Sequence, residues 1–149
     1  MVDLIDEAAR LQTFLDKRGL RFCFIGGIAV QWWGEPRFTR GIDVALLTGF
    51  GNEAGIVDLL LEGYVRRIAG AREFAIANRV LLLNSSSGIA IDVSLAALPF
   101  EERAIERSRM VEILAGRSLR LCAPEEVVVM KLFAGRETDI RDARSIAVR

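Results

Sequence analysis

The chain has 149 residues, with 20 basic and 20 acidic side chains, so its formal net charge is zero, and it contains no histidine. The lack of histidine excludes a Ser-His-Asp triad and imidazole metal ligands, and two cysteines, Cys23 and Cys122, are too few for a four-thiolate zinc site. Any catalysis must therefore use carboxylates, Lys, Arg, Ser or Thr, and a hard metal ion bound through oxygen is the expected cofactor.

Hydrophobic periodicity and turn residues predict an alternation of helices and strands along the chain. In the first half they predict a helix over 3–18, a strand over 20–25, a short helix over 26–33, a strand over 41–47 and a helix over 53–62. Asn52 is expected to cap the last of these helices. Gly26 and Gly27 stand between the first strand and the short helix.

In the second half the patterns predict more strands before the helices return. They predict strands over 73–77, 79–84 and 89–95, a helix over 99–109, strands over 111–115 and 119–121, and helices over 124–133 and 139–148. Residues 85–88 are expected to form a hairpin loop. Because the elements do not alternate strictly, we predict an α+β fold with a mixed, twisted sheet flanked by helices.

Length and composition are typical of a single domain over residues 1–149 with one hydrophobic core. The cysteines are expected to be buried reduced thiols. No apolar run reaches the roughly 18 residues needed to cross a bilayer, and acidic residues near the start argue against a signal peptide. We therefore expect a cytoplasmic protein with no membrane partner.

The Gly26-Gly27 pair leads straight from an apolar strand into a helix. Backbone N–H groups at such a helix start can hold phosphate oxygens, although two glycines can also serve only a tight turn and close packing. Further along, Arg37 and Thr39 come just before Asp43, which interrupts an otherwise apolar strand. A charge at that position needs a functional or structural reason.

Asp92 is a second carboxylate inside an apolar strand and the only charged residue between Arg79 and Glu101. A buried carboxylate is rare unless it is paired or binds a metal. By strand alternation, Asp43 and Asp92 could point from neighbouring strands toward one metal ion. The alternative is that each faces solvent or pairs with one of the arginines.

These segments together resemble the minimal nucleotidyltransferase fold, the superfamily that includes DNA polymerase beta. The resemblance rests on Gly26, Gly27, Gly34, Pro36, Arg37, Thr39, Asp43 and Asp92, in that order. Segments 123–127 and 131–142 are similar to the branch that contains the AbiEii-type abortive-infection toxins, which implies an antitoxin as a possible partner. The resemblance implies Mg²⁺ or Mn²⁺ held by three aspartates, and transfer of a nucleoside monophosphate from a nucleoside triphosphate to an RNA, protein or small-molecule acceptor.

On this interpretation Asp43 and Asp92 are metal ligands and catalytic residues, and Gly26, Gly27, Arg37, Thr39 and Lys131 bind the nucleotide. Lys131, one of only two lysines, is also assigned a catalytic role because its charge could reach a phosphate. It could equally be a surface lysine. Arg136, Asp139 and Asp142 either add charge near the site or simply cap and pair at a helix start.

One departure from the family pattern affects the expected chemistry. The family has two aspartates one residue apart on the second strand, whereas this chain has Gly41 before Asp43. The first metal ligand is therefore absent, through natural loss, engineering or a role in binding without transfer. The alternative to an enzyme is thus an inactive nucleotide-binding or regulatory module of the same fold. A third interpretation takes Trp32 and Trp33 as a patch for self-association or another partner, although such a pair is more often core.

Overall fold

The structure, a computed structural model, describes residues 2–36 and 38–148. The helices are α1 Val2–Lys17, α2 Gly26–Trp33, α3 Glu53–Gly63, α4 Ala71–Asn78, α5 Pro99–Glu106, α6 Pro124–Ala134 and α7 Glu137–Ala147. The strands are β1 Phe22–Ile25, β2 Ile42–Leu47, β3 Val65–Arg66, β4 Val80–Asn84, β5 Ala90–Ala96, β6 Arg109–Leu114 and β7 Arg117–Leu121. This set of elements confirms the predicted α+β class.

All seven of these strands form one mixed sheet in the order β3-β4-β5-β2-β1-β7-β6. Strands β2 and β5 pair in parallel, as do β1 and β7, and the other neighbours are antiparallel. The predicted hairpin between β4 and β5 is present. The parallel β2–β5 pair lies near the middle of the sheet, where helix α2 begins directly after the adjacent strand β1.

Side-chain alternation divides the sheet into two faces with different coverings. Large apolar side chains on the first face form a cluster with α1, α3 and α4; it includes Phe22, Phe24, Val44, Leu46, Ile91 and Val93. Smaller side chains on the second face pack with α2, α5, α6 and α7; they include Cys23, Ala45, Ala96 and Cys122. The two cysteines are free and fully buried, as predicted.

One predicted strand is a helix. Residues 73–77 were expected to be extended, but they lie inside α4, where Ala71 and Ala75 are fully buried and Phe74 and Ile76 are exposed. A spacing of four between the buried positions matches one turn of a helix. The apolar residues between them made this period difficult to recognise in the sequence. Arg79 ends the helix in the left-handed conformation, with a φ of 59°.

Smaller differences concern the ends of elements. Asn52 does not cap α3 with its side chain, which donates instead to the Thr48 carbonyl oxygen at 3.5 Å. Helix α5 ends at Glu106, because Arg109 already belongs to β6. Within the part of the chain that the structure describes, no helix is long and apolar enough to cross a membrane.

Candidate nucleotide-binding and metal site

Asp43 and Asp92 lie side by side on the parallel strands β2 and β5. The register pairs Ile42 with Ile91 and Asp43 with Asp92, so both carboxylates project from the same face of the sheet. The predicted adjacency of the two strands is therefore confirmed. Two carboxylates in this arrangement could supply oxygen ligands to one shared cation.

The two aspartates are half-buried, and Asp92 pairs with an arginine, which is one of the alternatives that the sequence left open. On β4 and β5, buried residues alternate with half-buried ones, and Asp92 belongs to the half-buried set. The Asp92 side chain is 42% exposed, and Asp43 is half-buried. The second face of the sheet is thus only partly covered at these two positions.

Gly26 brings the start of helix α2 against Asp43. Its φ is +63°, and a Cβ atom built on it would lie 2.7 Å from the carboxylate carbon of Asp43 and 2.8 Å from the Asp43 Cβ. Ile25 pairs with Asp43 across the β1–β2 ladder, which holds this approach in place. A side chain at position 26 would therefore collide with the carboxylate, so the glycine both shapes the turn and leaves room for Asp43.

Gly27 makes a similar approach to Thr39. A Cβ atom at position 27 would lie 2.8 Å from the Thr39 Cβ, and the Thr39 hydroxyl donates to the Gly41 carbonyl oxygen at 3.3 Å. The loop before β2 is thereby packed onto the first turn of α2. Arg37, the other predicted nucleotide-binding residue of this loop, lies outside the described residues.

Arg67 is a site residue that the sequence analysis missed. Its guanidinium donates to Asp92 Oδ1 and forms an ion pair with that carboxylate. Arg67 follows β3, a strand of two residues that hydrophobic periodicity is too short to detect, and it is 25 positions from Asp92 in sequence. With 18 arginines among the 20 basic residues, composition gives no signal for this one.

Lys131 forms ion pairs with two buried aspartates of α7. Its Nζ lies 3.3 Å from Asp139 Oδ1 and 3.1 Å from Asp142 Oδ2, and its side chain is only 16% exposed, so it is not a surface lysine. Arg136 Nε also donates to Asp139 at 2.6 Å, as the capping interpretation predicted. Hydrogen bonding from Arg136, reinforced by Lys131, lowers the pKa of Asp139 to about 2. This cluster joins α6 to α7, and the predicted catalytic and phosphate-binding roles of Lys131 remain a prediction.

Asp43 and Asp92 are the carboxylates of this site that could hold a divalent cation. Mg²⁺ is commonly held by one or two carboxylates, with waters and substrate phosphates completing its coordination. Across residues 2–36 and 38–148, no cluster of three or more His, Cys, Asp or Glu side chains could hold a metal ion. The three-aspartate set implied by the family resemblance is therefore reduced to Asp43 and Asp92.

Gly41 is the position where the third carboxylate would stand. A Cβ atom there would lie 3.7 Å from the Cβ of Ala90 and 3.1 Å from the Ala90 carbonyl oxygen. Ala90 lies two residues before Asp92 on β5 and therefore on the same face. A side chain at position 41 would start beside the carboxylate pair, after a small shift of the Ala90 carbonyl.

Solved structures that superpose on this chain include nucleotidyltransferases and a nucleotidyltransferase-like protein. An antigenic nucleotidyltransferase-like protein from Paracoccidioides brasiliensis superposes with a TM-score of 0.59 at 18% identity, covering 96% of this chain and 74% of that one. The lincosamide antibiotic adenylyltransferase LnuA, with lincomycin bound, superposes with a TM-score of 0.56 at 14% identity, covering 92% of this chain and 94% of that one. The antibiotic-resistance factor ANT(2'')-Ia superposes with a TM-score of 0.56 at 16% identity, covering 97% of this chain and 81% of that one. No protein-family model and no curated protein matches the sequence. The chain thus has the nucleotidyltransferase-like fold.

Proposed function

We propose that the protein binds a nucleoside triphosphate with one divalent cation, Mg²⁺ or Mn²⁺, and transfers the nucleoside monophosphate to an acceptor hydroxyl. The observation that carries this proposal is the in-register pair of Asp43 and Asp92 on parallel strands, with the Asp43 carboxylate against Gly26 at the start of α2. The nucleotidyltransferase-like fold supports it by analogy.

The proposed roles follow from the chemistry of each group. Asp43 and Asp92 would hold the cation, which when bound neutralises phosphate oxygens and polarises the reacting phosphoryl group. The first N–H groups of α2, after Gly26 and Gly27, would hold phosphate oxygens, because Ile25 at the N-cap has no side chain that could satisfy them. Thr39 keeps the preceding loop against this turn.

We propose a small-molecule hydroxyl as the acceptor, in preference to RNA or protein. LnuA was solved with lincomycin, and ANT(2'')-Ia was solved with adenylyl-2''-tobramycin, so two proteins of this fold bind small molecules. An antitoxin partner, as implied by the AbiEii-like segments, and a cytoplasmic location belong to the same proposal, but they rest on the sequence alone.

A second function is favoured by two observations at the site. Gly41 removes a carboxylate that the family pattern contains, and Arg67 is bound to one of the two that remain. Both features weaken a metal site that would otherwise catalyse transfer. The alternative is therefore a nucleotide-binding or regulatory module that keeps the fold and turns over slowly or not at all.

Transfer is tested by incubating the protein with each labelled nucleoside triphosphate and Mg²⁺ or Mn²⁺, and following pyrophosphate release and label on aminoglycosides, lincosamides, bulk RNA or protein. We expect weak activity that requires metal and is lost in Asp43→Asn. Asp58→Asn is the matched control, because Asp58 is a surface residue of α3 that pairs with Arg72. Metal-dependent nucleotide binding without pyrophosphate release would favour the regulatory module, and the lack of both would reject the proposal.

A further inference from the structure

Arg67 reaches the carboxylate pair along a single row of the sheet. Its backbone N–H donates to the Leu82 carbonyl oxygen at 3.0 Å, and Leu82 pairs with Asp92 in the β4–β5 ladder. Asp92 pairs in turn with Asp43. The backbone of Arg67 is therefore fixed by β4, and the guanidinium extends over this strand to Asp92.

This contact supplies a positive charge to the place where two carboxylates stand together. Like charges on directly opposed residues of neighbouring strands destabilise a sheet, and a guanidinium bound to one of them offsets the repulsion. The Arg67 side chain is only 26% exposed, so it is held more firmly than a solvated surface arginine. The contact also occupies Oδ1 of Asp92, one of the two carboxylate oxygens that a cation could use.

We propose that Arg67 is an internal counter-ion of Asp92 and that it competes with a divalent cation for this carboxylate. Arg67 thus acts as a positioning residue that lowers the metal affinity of the empty site. This inference rests on the proposed function, because it assumes that the two carboxylates share a cation. It adds a competitor that is built into the chain.

The test measures Mn²⁺ binding to the purified protein by electron paramagnetic resonance of the free ion, without nucleotide. We expect Arg67→Gln to bind Mn²⁺ roughly five- to thirty-fold more tightly than the natural chain, because a partly exposed charge-assisted contact no longer competes. Arg67→Lys, which keeps the charge, should stay much closer to the natural affinity. Arg67→Met keeps the apolar stem and replaces Arg67→Gln if that variant does not fold.

Arg66→Gln provides the matched control for the loss of one positive charge. Arg66 is the exposed neighbour on β3, pairs with Leu83 and lies on the opposite face by alternation. Its replacement should change Mn²⁺ affinity less than about twofold if only distant surface charge is lost. An equal gain in Arg66→Gln and Arg67→Gln would overturn the inference, since the effect would then come from net charge.

A double-mutant comparison ties the effect to Asp92. In an Asp92→Asn background, the residual Mn²⁺ binding should be weak and depend on Asp43, and Arg67→Gln should not tighten it, because the competing contact is already gone. Unchanged Mn²⁺ affinity in Arg67→Gln and Arg67→Met, with measurable binding in the natural chain, would overturn the role of Arg67 and leave the proposed function intact. Lack of Mn²⁺ binding in every variant would reject both.

Discussion

Gly26→Ala tests whether the start of α2 and Asp43 form one structural unit. Gly26 has a left-handed backbone with a φ of +63°, and its missing side chain leaves the space that the Asp43 carboxylate fills. Gly19, after α1, has nearly the same φ, +67°, but nothing lies within 4 Å of the Cβ atom that an alanine would add. The two substitutions share the backbone penalty and differ in the collision with Asp43.

The expected magnitudes follow from that difference. Gly19→Ala should lower the free energy of unfolding by about 1–2 kcal/mol, the usual cost of a left-handed non-glycine residue. Gly26→Ala adds a contact of 2.8 Å to the Asp43 Cβ, which is fixed to the β2 backbone and cannot rotate away. Overpacking of this kind costs about 1–3 kcal/mol more, so we expect a total of about 2–5 kcal/mol.

Both variants are compared by urea unfolding and by Mn²⁺ binding. Gly26→Ala should also displace the Asp43 carboxylate and weaken Mn²⁺ binding at least about tenfold, which corresponds to about 1.4 kcal/mol. Gly19→Ala should bind Mn²⁺ as the natural chain does. Equal unfolding free energies and equal Mn²⁺ affinities in the two variants would refute the argument that Asp43 depends on the empty space at Gly26.

Three further predictions concern the buried cluster and the missing carboxylate. Lys131→Met should lower the free energy of unfolding by about 3–5 kcal/mol, because it leaves two buried carboxylates without that cation. Lys17→Met, at an exposed position, should change the free energy of unfolding by less than about 0.5 kcal/mol. Similar urea midpoints in the two variants would contradict this prediction. Because the pKa of Asp139 falls from 3.8 to about 2 on folding, its contribution of about 2 kcal/mol is complete above about pH 5 and is lost as pH falls through 2. Asp139→Asn should flatten that acid limb of stability in urea titrations. Gly41→Asp should tighten Mn²⁺ binding and raise any nucleotide transfer. It should also lower the free energy of unfolding by about 1 kcal/mol, because the Ala90 carbonyl oxygen, 3.1 Å from the added Cβ atom, must shift. Unchanged metal affinity would show that position 41 does not face the carboxylate pair.

Sequence reasoning succeeded where a pattern and its physical cause are local. The glycine turn after β1, the apolar alternation of β2 and β5, and the hairpin between β4 and β5 are all readable from neighbouring residues. The pairing of Asp43 with Asp92 was predicted because alternation fixes the facing of each strand. Its register, however, depends on contacts between strands that lie about fifty residues apart.

The failures came from interactions between distant parts of the chain. Segment 73–77 has enough apolar residues to suit a strand, and only the packing of Ala71 and Ala75 against the core makes it a helix. Arg67 could not be assigned from the sequence, because its position depends on the two-residue strand β3 and on the pairing of that strand with β4. Lys131 was placed on the correct helix, but its two partners come from α7, whose packing against α6 no local pattern describes.

The half-open face over β4 and β5 gives the strongest physical reason to assign function to the aspartates. A sheet gains stability by covering such a face, yet here the helices of the second cluster leave the half-buried side chains of β4 and β5 accessible. Two carboxylates in register on neighbouring strands need positive charge near them, which a pair of neutral side chains does not. Arg67 supplies positive charge at Asp92, and a ligand cation would supply more. The proposed cation site rests on this carboxylate pair and on the competition with Arg67, whether or not the missing carboxylate at Gly41 leaves it able to catalyse transfer.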